Sequence, residues 1–382
     1  MKIAIIRKKY TFSGGAEVFS QKLLAVLSEE GHEVHIYAIA WEGNPQTANV
    51  HFHKVPAITF NSTLRDLSFA LSVPKLLKKE SFDIIQSHDK TLYQDIYRAG
   101  DGCHIEWLKQ RWKRTGIYGK LSIVANPYHW LVLSLERLIF NGHRFKKIIA
   151  ISELVKQNIL QHYNVDAKDI EVIYNGVDLE RFHPRNKICC RKAIRNQYSI
   201  SDDAFVILFV GSGFERKGMQ FLLTAAEMIP QPVIVLVAGK GSKRKYEHLA
   251  RKHRVIFCGP QKEIHQYYAA SDVFVFPAIY EPFGNVHLEA LASGLPVITT
   301  RLSGAAEIIE DGIHGFTISA PEDCPAIAEK ISYLMDNRET REAMGIDARR
   351  RAEEFTYAKY SEKIQKLYKE VAAPDRLSAC YT

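Results

Sequence analysis

The chain has 382 residues, 46% hydrophobic and 25% charged, the proportions of a globular protein, which exclude wholesale disorder and a fibrous repeat. At roughly 100–200 residues per domain, that length predicts about two domains. Lys and Arg total 51 against 43 for Asp and Glu, a surplus of +8 that fits an anionic substrate, an anionic membrane surface or nucleic acid without choosing among them.

The amino-terminal run MKIAIIRKKY has an apolar core too short for a signal peptide. Residues 2–6 read as a strand, 16–30 as a helix, and 33–40 as a second strand. The strand series continues at 49–55, 83–87 and 146–151, with helices at 62–79 and 152–162. No stretch of about 18–20 residues is free of charges or breakers; the nearest, 121–140, contains Asn126, Pro127, Glu136 and Arg137. A protein that is soluble or peripheral to a membrane is expected. The grammar restarts at Ala204, with strands at 205–211, 232–238, 255–258, 273–277 and 296–300 and a helix at 218–228. Strands alternating with helices predict an α/β fold with parallel sheets covered on both faces. Six cysteines, Cys103, Cys189, Cys190, Cys258, Cys324 and Cys380, include no C-x-x-C pair; that indicates neither a zinc site nor a redox motif and suits a reducing compartment.

Two Rossmann-like domains facing across a cleft are therefore expected. The first covers 1–180, a linker 181–203, the second 204–356, and a carboxyl-terminal amphipathic helix and tail 357–382. Asn175-Gly176 is a turn signal, and Pro184 interrupts regularity in the linker. Open α/β sheets bind ligands beyond the carboxyl ends of their strands.

The strongest local signal is Glu281-Pro-Phe-Gly-Asn-Val-His-Leu-Glu289. Asn285 is expected to cap a helix from about Val286 to Ser293, with Gly294 just past its end and Pro296 barring continuation. Phe283, Gly284 and Asn285 then sit at the positive end of that helix, where N–H groups hold an anion or hydroxyls. Glu281 precedes the end and Glu289 lies one turn inside. Taken alone, such a pair is a loop and a helix with solvated glutamates. Gly211-Ser-Gly-Phe-Glu-Arg-Lys-Gly218 follows a buried strand. It misses the G-x-G-x-x-G fingerprint at Arg216, which disfavours a dehydrogenase. Two fixed cations, Arg216 and Lys217, suit a leaving group that gains negative charge. Gly14 and Gly15 fall between the first strand and helix, where glycine lets backbone approach a ligand.

Together these motifs, with the N-G-V-D run at 175–178, resemble the family-4 glycosyltransferases of the GT-B fold over nearly the whole chain. The resemblance implies retaining, metal-independent transfer from a nucleotide-activated sugar, with no cofactor. It implies that Glu281 approaches the transferred sugar's hydroxyls and that Glu289 binds the donor ribose. Arg216 and Lys217 would hold the diphosphate, with Gly14 and Gly15 beside it.

Ala99-Gly-Asp101-Gly-Cys103-His104 is a polar island in the first half. By itself Asp101 reads as a turn residue. With Lys8-Lys9-Tyr10, Trp41-Glu42-Gly43 and 213–218, the segment resembles the bacterial lipopolysaccharide core glucosyltransferases that extend inner-core heptose. That closer likeness implies a UDP-hexose donor, glucose in particular, and a lipid-anchored core oligosaccharide acceptor. Asp101 would orient or deprotonate the acceptor hydroxyl, or stabilise positive charge at the anomeric carbon. In a retaining front-face reaction the departing phosphate itself can take the acceptor proton. His104 is a second candidate, although a lone histidine is more often structural.

Residues 107–120 carry Lys109, Arg111, Lys113, Arg114 and Lys120 without an acid, interleaved with Trp107 and Trp112. That pattern fits a segment held at the anionic inner leaflet of the cytoplasmic membrane, or a solvated basic helix. A nucleic-acid strip is a third reading, but the cluster matches no recognition fold, so no nucleic acid is expected. The expected function is glycosyl transfer to lipopolysaccharide core. The alternatives are transfer to another polysaccharide or lipid-linked sugar, and a nucleotide-sugar or nucleic-acid binding protein without transfer activity.

Overall fold

The computed structural model describes residues 1–10, 24, 27–28, 30–42, 49–249 and 251–372. The chain divides into two compact units, one formed by Met1–Tyr174 with Tyr357–Thr382 and the other by Asn175–Thr356.

Unit 1 is built on a parallel sheet of β1 (Lys2–Ile6), β3 (Glu33–Ala38), β5 (Val50–Lys54), β6 (Ile84–Ser87), β7 (Ile96–Ala99), β8 (Lys147–Ala150) and β9 (Ile170–Val172), in the order β5-β3-β1-β6-β7-β8-β9. A small pair, β2 (Lys9–Tyr10) and β4 (Ala40–Trp41), stands apart and joins two of the motifs from the first half. In β1, alternate side chains serve opposite faces. Ile3 and Ile5 pack in one core with Val34, Ile36, Ile84 and Ile149. Ala4 and Ile6 pack in the other with Tyr37, Phe69, Val73 and Leu77. The helix Ser62–Leu77 covers the second face, its start capped by the Asn61 side chain accepting from the Leu64 N–H at 2.8 Å. The first face is covered in part by the carboxyl-terminal helix Tyr357–Ala372, through Tyr360, Ile364, Leu367, Tyr368 and Val371.

Unit 2 repeats the scheme. Its parallel sheet comprises β10 (Val206–Val210), β11 (Ile234–Ala238), β12 (Arg254–Gly259), β13 (Val273–Phe276), β14 (Val297–Thr300) and β15 (Gly315–Ile318), in the order β12-β11-β10-β13-β14-β15. Each sheet starts in the middle, runs to one edge, then returns and runs to the other. This is the doubly wound order, so both units are Rossmann-like.

The structure departs from the expected boundaries at the linker. Residues 175–180 belong to unit 2, and 181–203 contain the helix Asn186–Gln197. Arg195 on that helix is fully buried. Its guanidinium donates to the carbonyls of Ser201, Asp202, Ala204 and Ala270 at 2.9–3.1 Å and to Asp272 Oδ2 at 2.9 Å. Asp272 Oδ2 also accepts from the Val206 N–H at 2.8 Å. One arginine thus ties the segment to the first residues of β10 and β13. The chain enters and leaves unit 2 side by side, with the Val177 N–H donating to the Phe355 carbonyl at 2.8 Å.

The stretch 121–140 is two helices, Ile117–Ala125 and Pro127–Phe140. Asn126 ends the first and caps the second, its side chain accepting from the Tyr128 N–H at 3.0 Å. Among the described residues, no helix is long and apolar enough to cross a membrane.

Candidate active site

In unit 2 the strand order reverses between the neighbours β10 and β13. Loops leaving the carboxyl ends of two such strands diverge and leave a crevice. The first loop carries Arg216 and Lys217, and the second carries Glu281. Gly218 closes the first loop with φ +79°, and a Cβ on it would run into the Pro277 carbonyl. Only glycine lets the loops approach so closely. They are then cross-linked. The Ile279 N–H donates to the Arg216 carbonyl at 2.9 Å. Arg216 Nη1 donates to the Tyr280 carbonyl at 3.1 Å and to Glu281 Oε2 at 3.2 Å. Lys217 Nζ donates to the same carboxylate oxygen and lies 5.2 Å from the centre of the Phe276 ring. Glu281 is 7% exposed, and its backbone is held by Leu302 and Gly304 at 3.0 and 2.9 Å. Burial and the adjacent Arg216 push the Lys217 ammonium well below its ordinary pKa, while the touching carboxylate works against them. Both basic side chains meet the Glu281 carboxylate where Lys217 and Glu281 are largely buried, and an entering anion can replace that carboxylate. That is a site for an anion.

After Glu281 the chain enters the helix Asn285–Ala292. The expected cap is corrected here. Gly284, at φ +81°, is the N-cap, and Asn285 is already helical. Asn285 instead accepts, through Oδ1, from the Asn175 side chain at 2.6 Å. The turn needs a left-handed residue, which glycine supplies without strain. Phe283 is fully buried, and its carbonyl accepts from the Ser303 hydroxyl and the Ala305 N–H, both at 3.2 Å, so its ring anchors the loop. The helix end matches expectation. Gly294 adopts φ +69°, and Gly294 and Leu295 N–H groups close onto Leu291 and Ala290 carbonyls at 2.9 and 3.0 Å, a Schellman closure.

Glu289 is half-buried. Burial raises its carboxyl to about 7, against a hydrogen bond from Tyr268 and the charge of Arg181. The Tyr268 hydroxyl donates to Glu289 Oε2 at 2.9 Å.

Sequence reasoning missed Tyr268, His287 and Thr299, and read Asn175 as a turn and motif residue without its Asn285 partner. His287 is fully buried. Its Nδ1 lies 2.8 Å from the Gly284 carbonyl, which can only accept, so Nδ1 carries a proton, and its Nε2 lies 2.9 Å from the Thr299 hydroxyl, which also donates to the Phe276 carbonyl at 3.0 Å. Burial lowers this imidazole to about 3, so it stays neutral and pins the glycine turn to β14. The signal available was its place three residues after Gly284, one helical turn on.

Asp101 lies in unit 1, exposed in the turn after β7, beside Gly102 at φ +67°. Behind it is a buried network. The Glu136 carboxylate accepts from the His104 N–H at 2.9 Å and the Tyr163 hydroxyl at 2.6 Å, and pairs with Lys90 at 3.5 Å. The His104 imidazole lies 3.0 Å from that of His129, and burial, Lys90 and His129 push it down to about 3. His104 is therefore neutral within this buried network. Gly14 and Gly15 lie outside the described residues. A separate cavity of about 790 Å³ in unit 2 is lined by Lys187, Asp272, Pro296 and Arg341. It sits at the amino-terminal edge of the sheet, away from Glu281.

Residues 191–351 match the model of glycosyl transferases group 1, and residues 13–181 match that of glycosyltransferase family 4. The chain is 26% identical to the lipopolysaccharide glucosyltransferase WaaG of Escherichia coli, over 92% of this chain and 94% of that protein. It is 32% identical to the capsular polysaccharide biosynthesis glycosyltransferase CapM of Staphylococcus aureus, over 90% and 91%. Among solved structures, that of WaaG superposes with a TM-score of 0.81 at 24% identity, covering 96% of this chain and 99% of that one. Anabaena HepE in complex with UDP-glucose superposes at 0.72 and 17% identity, covering 97% and 100%. At such identities the structural likeness speaks for the GT-B fold alone. The chain belongs to the family-4 glycosyltransferases of the GT-B fold, and it is a glycosyltransferase.

Proposed function

We propose that the enzyme moves a hexose, glucose, from a UDP-sugar to a lipopolysaccharide core oligosaccharide, with retention of configuration and without a metal. The observation that carries the donor half is the buried cluster of Arg216, Lys217 and Glu281 at the switch point of the unit 2 sheet. A diphosphate entering there competes with Glu281 for the two cations and frees that carboxylate for the sugar's hydroxyls. Glu289 takes the ribose hydroxyls. As the bond from the anomeric carbon to phosphate breaks, Arg216 and Lys217 stabilise the departing charge. The acceptor oxygen bonds to that carbon, and its proton passes to the leaving phosphate. Asp101 orients the acceptor or stabilises the developing positive charge. HepE, a protein of the same fold, binds UDP-glucose, which supports this choice of donor.

Similarity to WaaG along the whole chain supports the lipopolysaccharide acceptor. The higher identity to CapM favours a second reading, in which the acceptor is a capsular or other lipid-linked saccharide. For a lipid-linked acceptor we place the enzyme on the cytoplasmic face of the membrane. The helix Ile117–Ala125 supports this, with Ile117 70%, Tyr118 86% and Leu121 60% exposed, an apolar stripe that follows a run of basic residues. The decisive experiment incubates purified enzyme with labelled nucleotide sugars and with truncated core or capsular acceptors. Product from UDP-glucose and core oligosaccharide, with activity retained in chelator, is the expected result. Product only with a capsular acceptor replaces the first reading by the second. Dependence on a divalent ion contradicts the metal-free reaction.

A further inference from the structure

The edge strand β5 and its neighbour β3 concentrate imidazoles on one face. Their register pairs His35 with His51 and Tyr37 with His53. Residues two apart share a face, so Glu33, His35, His51 and His53 all lie on that side. His35 is 6% exposed. Its Nε2 lies 2.8 Å from Glu33 Oε1, and its Nδ1 lies 2.8 Å from His53 Nε2. His51 Nε2 is 3.9 Å from the same Glu33 oxygen. One ligand atom from each of Glu33, His35 and His51 falls within 4.8 Å of the others.

We propose that Glu33, His35 and His51 form a binding site for a zinc-class divalent cation that clips β5 to β3. Zinc at roughly 2.0–2.1 Å from nitrogen and oxygen ligands needs those atoms about 3.3 Å apart in a tetrahedral array. The observed spacings straddle that value. Glu33 and His51 are about half exposed at their side chains and can swing inward, while buried His35 stays fixed. Imidazole nitrogen with one carboxylate is a donor set that suits zinc, and three protein ligands leave the fourth position to water. His53 supplies the outer partner that metal-bound histidine requires. In the metal-free state His35 Nε2–H donates to Glu33, and Nδ1 accepts from His53 Nε2–H. When the metal takes Nε2, His35 carries its proton on Nδ1 and donates it to His53 Nε2, and the His53 proton moves to Nδ1. Both rings stay neutral and no proton is lost. The nearby Lys2 is already engaged by Glu80 at 3.1 Å, which limits its repulsion of the ion.

This site lies in unit 1 on residues that the transfer reaction does not use, so its test is a binding measurement. Untagged, chelator-stripped protein is titrated with zinc by calorimetry and with cobalt by visible absorption. One equivalent, with the absorption of tetrahedral cobalt, is expected. Glu33→Gln and His51→Ala, both at exposed positions, should each weaken zinc binding at least tenfold. His53→Gln should weaken it ten- to a hundredfold. Zinc should raise the unfolding midpoint of the unaltered protein and leave that of His51→Ala unmoved. Unchanged affinity in Glu33→Gln and His51→Ala overturns the site. So does loss of the bound equivalent in Cys189→Ser/Cys190→Ser, which would move the ion to those adjacent thiols.

Discussion

On the proposed reaction, Glu289 and Lys217 should separate binding from turnover at the level of single side chains. If Glu289 accepts from the ribose as proposed, Glu289→Ala should weaken UDP-glucose binding by about 1.5–3 kcal/mol, roughly ten- to a hundredfold. Calorimetry on the folded variant checks this, and unchanged affinity would remove Glu289 from the donor site. The same residue gives a pH dependence. A carboxylate accepts strongly from two sugar hydroxyls, whereas the protonated acid turns one oxygen into a donor and loses the charge. Burial raises the Glu289 carboxyl to about 7, so UDP-glucose affinity should fall as pH drops through 7, by about tenfold one unit below it. In Glu289→Gln that dependence should vanish. Lys217→Ala should lower kcat about a hundredfold with a smaller loss of donor affinity, because charge on the diphosphate grows as the bond breaks. Equal losses in both make Lys217 an ordinary binding group. Arg216, Lys217 and the two glutamates are legible from the chain, because the motifs holding them are contiguous. The Asn175 contact is not: Asn175 meets Asn285 across 110 residues of sequence, and no local pattern announces such a pairing.

At the scale of the element, glycines and one short helix carry the argument. A Cβ on Gly218 meets the Pro277 carbonyl, whereas one on Gly213, at the similar φ of +75°, meets nothing within 4 Å. Gly213→Ala should therefore cost only the left-handed backbone term, about 1–2 kcal/mol. Gly218→Ala must also part the two loops, and should cost clearly more while weakening donor binding. Denaturant unfolding of both variants tests the difference, and equal costs would deny the close approach. The structure changes how the proposed membrane contact is read. The basic run suggested an electrostatic anchor, yet Lys109 pairs with Glu106 at 3.7 Å, and Arg114 donates to Gln110 at 2.7 Å. In the proposed contact the exposed stripe Ile117, Tyr118, Leu121 and Val124 would add apolar burial to charge. Inserting each such side chain is worth up to about 1.5–3 kcal/mol. Tyr118→Ser/Leu121→Ser should abolish flotation on anionic vesicles, and changing Lys109, Arg111, Lys113 and Arg114 to Gln should reduce it in a salt-dependent way. Equal flotation of all variants means another surface makes the contact.

For the whole molecule, the carboxyl-terminal helix decides which parts fold together. Tyr357–Ala372 follows unit 2 in the chain but completes the core of unit 1, where Ile364 and Tyr368 are fully buried and the Tyr368 hydroxyl donates to Gln86 at 2.9 Å. Burying Ile364, Leu367, Tyr368 and Val371 contributes about 6–12 kcal/mol, comparable to the whole stability of a domain. A chain stopped at Thr356 should keep a folded unit 2 and lose unit 1, seen as protease resistance confined to residues 175–356. Resistance of both units would show that the helix is dispensable.

The sequence by itself determined the class of fold and the two loops whose Arg216, Lys217 and Glu281 side chains meet. Fully buried parallel strands such as VILFV and VFVF are continuous apolar runs, and glycine, proline and paired charges mark the loops between them. Those features act over a few residues, so they can be read locally. The tertiary structure decided what depends on partners distant in the chain. The segment 181–203 looks like a linker because it is charged and polar with few apolar residues, and the carbonyls around Arg195 and the burial of Phe182, Ile194 and Ile200 reveal it as core. The strand Ile96–Ala99 is masked by Arg98, which is buried with it. The protonation of Glu289, the histidine beneath Gly284 and the unit to which the last helix belongs are likewise set by neighbours from other parts of the chain. Burial and hydrogen bonding are properties of the assembled environment, and local pattern records them only where the partners are near in sequence.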